Sequence, residues 1–209
     1  MFDRFFSKYN VDARVEGSPI QLPEALGEVR GFAEFMAQYR GCTFGGGVYR
    51  VHTAETSEAI APHVVEEFPG YRDRITLFGF DWIGRQFGLD AKVQEDGEPA
   101  ILMLEADTGD ALGIPANFRT FHEVEAVDYP DDVFLVNLFT QWREAAPRPQ
   151  LLSHDEIAGF QVPMFMGGDV VLENLDVTNM QVHWSLTAQL WRSTRGLRPG
   201  SEIRGVDIE

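Results

Sequence analysis

Between Arg74 and Pro115 the chain breaks into short β-branched and aromatic runs with turn formers between them. Arg74–Phe78, Ile83–Leu89 and Pro99–Leu104 are separated by Gly, Asp and Pro, and Asp96-Gly97 and Thr108-Gly109-Asp110 stand at two of the breaks. An Asp-Gly pair between two such runs is a hairpin signal, because the tight turn needs residues that tolerate positive φ. Consecutive hairpins lay strands antiparallel and leave no room for the crossover helices of a βαβ wind. The expected architecture is α/β of the α+β type: a twisted, mainly antiparallel sheet with surrounding helices.

Helical periodicity places the surrounding elements. Leu26, Val29, Phe32, Ala33 and Met36 predict a helix over 22–39, with Pro23 in its first turn. Three glycines, 45–47, turn the chain into a strand at Val48–Val51. Thr53 or Thr56 is placed to cap a helix over 57–68, and Asn117 to cap a short one carrying Phe118, Phe121 and Val124. The run VFLVNLFTQW predicts a helix over 131–145, apolar on most faces and so within the core. Ser153–Glu156 reads as a capping-box start, and VPMFMGGD as a buried strand and turn. Thr178 or Asn179 caps a final helix to Arg192, both of whose stripes are apolar and so expected to be buried. The one linker-like stretch, APRPQ, suggests a division into 1–146 and 150–209 on a shared core, with the last residues along the surface.

Charge bounds the function. The 209 residues carry 33 acidic and 17 basic side chains, net −16, and residues 90–132 alone hold 12 acids against Lys92 and Arg119. Such a field repels nucleic acid, which is held by neutralising phosphates, and anionic membranes; it attracts a basic partner. An acidic surface that serves solubility alone is the plainer alternative. Asp131 and Asp132 have a local reason as well, since acids in a first helical turn complement the helix dipole. A single cysteine, Cys42, excludes a disulfide framework and a multi-cysteine zinc site, and fits a reducing compartment. No apolar run approaches the roughly 20 residues of a membrane span, and MFDRFFSKYN lacks the features of a signal peptide. A cytoplasmic protein is expected.

Catalytic motifs are sparse. Gly45–Gly47 lack the Lys-Ser/Thr of a phosphate loop, and Ser57, Ser153 and Ser193 sit in no nucleophile elbow. The five histidines (His52, His63, His122, His154, His183) form no short-spaced metal pair. His183, inside an apolar helix, reads as a satisfied core residue. Asp169, Glu173 and Asp176 follow a Gly-Gly turn without the spacing of a calcium loop. No cofactor or metal is expected. An enzyme or ligand-binding protein remains open only if distant residues such as His52, Asp81, Glu105 and His122 meet in a deep pocket.

Three stretches, FGGGVYRVH (44–52), FGFDWIGRQFGLD with EPAILMLEADTGDALGIPANFRTFHEVE (78–125), and VPMFMGGDVVLENLDVTNMQVHWSLTAQLWRSTRGLRPG (162–200), occur in this order. Together they resemble the immunity proteins that guard bacteria against type VI secretion DNase effectors, with a GAD-like N-terminal segment and a C-terminal immunity domain, related to the SUKH class. Ala106-Asp107 departs from the Pro-Gly expected in many relatives. The resemblance implies a SUKH-like fold, no catalysis, and a cognate toxin as partner, a basic DNase that the acidic surface would meet. On that reading the partner-binding candidates are Asp81, Trp82, Glu95, Asp96, Glu98, Glu105, Asp107, Asp110, Asp128, Asp131 and Asp132. Trp82 would be an interface anchor or, as the plainer alternative, a core residue. A SUKH-like interaction or adaptor module without a toxin is the competing reading.

Overall fold

The computed structural model describes residues 1–145 and 151–196. Asp96 and Gly97 take φ of 52° and 79°, and this left-handed pair joins β5 (Gln86–Glu95) to β6 (Glu98–Glu105). The same logic repeats along the chain. β1 (Val11–Arg14), β2 (Cys42–Phe44), β3 (Tyr49–Val51), β4 (Ile75–Asp81), β5, β6 and β7 (Asp110–Asn117) form one antiparallel meander in which every strand neighbours the next in sequence. β8 (Glu156–Phe160) and β9 (Leu175–Asn179) make a separate antiparallel pair. The expected α+β class is what the chain adopts.

Successive strand residues point to opposite faces, and both faces here are apolar. Ile101 and Met103 join one core with Phe78, Phe87 and Leu89, whereas Leu102 and Leu104 join another with Leu77 and Phe80. The first face is covered by α1 (Asp3–Lys8), α2 (Phe32–Tyr39) and the winding stretch α4 (Phe118–Thr120), a π-helical turn (Phe121–Glu125), α5 (Ala126–Asp128), α6 (Pro130–Phe134) and α7 (Val136–Ala145). Phe5, Phe35, Phe118 and Phe134 bury themselves there, each contributing about 1.5–3 kcal/mol by leaving water. The second face is covered by α3 (Ala54–Glu67) and α8 (Met180–Thr194), through Ile60, Val64, Met180 and Trp184. The expected caps are in place: Thr53 accepts from Thr56 N at 3.2 Å, Asn117 from Thr120 N at 3.0 Å, and Asn179 from Gln181 N at 3.0 Å.

Several expectations are corrected. The predicted helix over 22–39 is a 3-10 turn at Glu24–Leu26 followed by α2 alone, because Gly27 and Gly31 take φ of 66° and 78° between them. The helix over 131–145 breaks at Leu135, whose φ is 50°. In its second half, α7, Phe139 is the buried residue while Asn137, Thr140 and Gln141 are exposed, so it lines the rim rather than the core. Ser153–Glu156 is a turn into β8: Glu156 Oε2 accepts from Ser153 N at 3.0 Å, but the buried Arg50 takes the Ser153 and Glu156 carbonyls and no helix follows. VPMFMGGD forms one 3-10 turn, Met164–Met166. On α8 Val182 and Leu186 are 52% and 38% exposed, so its second stripe faces water. α1 and β1 have no counterpart in the expectations. The linker APRPQ, at 146–150, and the tail beyond 196 lie outside the described residues.

Candidate partner-binding face

The turn Trp82-Ile83-Gly84 between β4 and β5 joins most of the molecule. Asp81, fully buried, accepts from the backbone N–H groups of Ile83 at 3.2 Å and Arg85 at 2.9 Å, and from Arg85 Nε at 2.6 Å. Arg85 spends its other nitrogens on Glu105 Oε1 at 3.0 Å and the Val133 carbonyl at 2.7 Å. Trp82, equally buried, donates from its indole to the Phe134 carbonyl at 2.8 Å, and Ala158 N donates back to the Trp82 carbonyl at 2.9 Å. Trp184 on α8 donates to the Gly84 carbonyl at 2.9 Å. One turn thus ties the sheet to α6, to β8 and to α8. Its distinctive DWIGRQF sequence is explained by these internal bonds.

The acidic candidates are accordingly not one surface. Asp81 and Trp82 are interior and offer a partner nothing; for Trp82 the core alternative is the one realised. Glu98 is buried against Arg30, and Asp90 against Arg74 at 2.5 Å. Asp107 is buried with Oδ2 3.0 Å from His183 Nε2; the histidine is, as expected, a satisfied core residue. Asp128 pairs with Arg4 at 2.6 Å, and Glu123 accepts from Arg4 N and Phe5 N at 3.1 and 3.3 Å, so these two acids dock α1. Each of these pairs joins residues far apart in sequence, which is why local charge counting missed them.

Strand register separates the rest. Glu95 pairs with Glu98 at one end of β6, and Glu105 with Asp110 at the other, roughly 20 Å apart at the strand's rise per residue. Glu95 and Asp96 therefore stand at the opposite end of the sheet from Glu105, Asp107 and Asp110. Asp131 and Asp132, both exposed, lie on α6, whose Val133 carbonyl meets Arg85 and so belongs to the second end. Asp131 also caps the start of α7 through Asn137 N at 2.8 Å. The candidates this end retains on its surface are Asp110, Asp131 and Asp132, with the half-buried Glu105 behind them.

A cavity of about 240 Å³ opens at the same end, walled by Ile83, Leu135, Phe160, Met164, Val170 and Trp184 and bearing Arg85, Glu105, Asp107 and His183. The four residues of the open enzymatic reading do not meet in it. His52 bonds Gln86 at 2.9 Å, and His122, inside the aromatic core, shares a hydrogen bond of 3.1 Å between its Nε2 and the Tyr49 hydroxyl. Burial lowers both imidazoles to about 3, so each is neutral. A larger groove, about 1230 Å³, runs between residues 18–26, α3 and β4; on its rim Arg192 meets Glu66 at 2.8 Å. Among the described residues no His, Cys, Asp or Glu group is arranged to hold a metal ion, and no helix is long and apolar enough to cross a membrane.

Residues 116–191 match the family model of the T6SS immunity protein Tdi1, C-terminal domain. This part of the chain is similar to a type VI secretion immunity domain, as the resemblance of the sequence implies. The matched segment starts within β7 and carries α4 to α7, the β8–β9 pair and most of α8. No curated protein matches the chain. Among solved structures, that of Atu4351 from Agrobacterium tumefaciens is similar over 90% of this chain and 89% of that one, with a TM-score of 0.57 and 15% identity. At that identity the likeness is one of fold.

Proposed function

We propose that this chain is an immunity protein that binds a cognate type VI secretion toxin, a basic nuclease, in the cytoplasm and blocks it without catalysis. The family match over residues 116–191 carries the reading. Charge supports the nature of the partner: Asp110, just before the matched segment, and Asp131 and Asp132, within it, stand exposed at one end of the sheet. A nuclease surface is basic because it holds phosphates, so complementary fields would speed the encounter. Because the acids divide between two ends of β6, the docking face assigned here is the Asp110–Asp132 end and not the Asp96 hairpin. The GAD-like N-terminal part then serves as the frame that fixes this end.

The test is co-expression with the product of the neighbouring open reading frame. Rescue of growth together with co-purification is the expected result; failure of both overturns the reading. Asp110→Lys with Asp132→Lys should slow association and flatten its salt dependence, while Asp96→Lys at the far end should leave both unchanged. Stopped-flow association at two ionic strengths separates the two ends.

A further inference from the structure

We infer that the cavity behind the β6–β7 turn receives one cationic side chain, an arginine or lysine, from the partner protein. The inference deepens the reading above and rests on it. Four observations point the same way. The walls made by Ile83, Leu135, Phe160, Met164 and Val170 are apolar, suited to the methylene stem of a long basic side chain. Asp107 lines the cavity at 6% exposure, and while its Oδ2 meets His183, its Oδ1 is buried with no hydrogen-bond partner. A buried carboxylate oxygen left without a donor is costly, and a cationic N–H is the donor that would satisfy it best.

The charge balance agrees. Arg85, the cation already in the cavity, is held by Asp81 and Glu105, leaving Asp107 and the exposed Asp110, Asp131 and Asp132 as the surplus at this end. Finally, Val170, which lines the cavity, and its chain neighbour Val171 are 51% and 43% exposed. They give a docking protein an apolar rim around a charged centre, the arrangement found where one residue dominates an interface.

The first test needs no toxin. The purified protein, labelled with ¹⁵N, is titrated with n-butylguanidinium, with n-butylamine, and with n-butanol and butyrate as neutral and anionic counterparts. The cationic probes should shift the amides of Gly84 and Thr108 and the indole N–H of Trp184, and Asp107→Asn should abolish the shifts. Equal shifts with n-butanol, or none with either cation, overturn the inference whether or not the protein is an immunity protein. Val170→Lys, at a wall residue that is 51% exposed, places a resident ammonium at the cavity and should block both probes even if Asp107→Asn folds poorly.

With a toxin in hand, Val170→Lys should weaken the complex by at least about tenfold, the scale on which an unpaired buried charge costs affinity. Wild-type affinity in that variant overturns the assignment of the cavity to the partner. Failure to find any toxin strikes the proposed function and leaves the probe result standing.

Discussion

Arg85 shows how much one residue can hold. Its guanidinium meets Asp81, Glu105 and the Val133 carbonyl at once, and Asp81 has no contact with water. Arg85→Met should therefore cost about 3–5 kcal/mol, the penalty of stranding a buried charge, read as a lowered urea midpoint. Two fully buried histidines give the acid limb of stability. His52 and His122 are held near 3 by burial, against 6.5 when unfolded. The unfolded chain takes up protons first, so stability falls as pH drops from 6.5 toward 3. Glu67 acts in the other direction. Burial, helped by the charge of Asp107, raises its carboxyl from 4.5 to about 9, so the folded state holds a proton the unfolded one has lost, and stability declines as pH rises from 4.5 to 9. Glu67→Gln should flatten the profile between pH 6.5 and 9 and leave the acid limb in place; urea midpoints across pH 4–9 decide it.

At the scale of elements, local signals were legible and distant partnerships were not. Asp96-Gly97, Thr53, Asn117 and Asn179 did what their positions predicted, because turns and caps are made by residues within three or four places of one another. Gly97 takes φ of 79° with open space where a Cβ would stand, so Gly97→Ala should cost about 1–2 kcal/mol from backbone strain alone, measurable by thermal melting. Helix breaks at Gly31 and Leu135 were missed because the apolar spacing continues through them. The site fared worse for a related reason. An acid's neighbour in sequence says nothing of an arginine 68 places away, as Arg30 is from Glu98, and only the strand register shows that the 95–98 hairpin and the 105–110 turn lie at opposite ends. DWIGRQF stood out in the sequence, but what it marks is the internal junction.

For the whole molecule, the arrangement sets where the charge acts. On the proposed reading, the acids that remain exposed at the Asp110–Asp132 end carry the field that a basic partner would meet, while Asp128 and Glu123 are spent on α1. Arg4→Ala is accordingly expected to loosen α1, seen as faster amide exchange over residues 3–8, with little effect on partner association.

The junction at Trp82–Gly84 also bears on how such proteins can diversify. The segment that matches the immunity family begins inside β7, and its β8 and α8 donate hydrogen bonds to carbonyls of the β4–β5 turn. A recombination event that exchanged only that segment would carry Ala158 and Trp184 into a foreign turn. If the cavity receives the partner as proposed, new specificities would be easier to reach by substitutions on its walls, at positions such as Val170, than by shuffling the segment as a cassette.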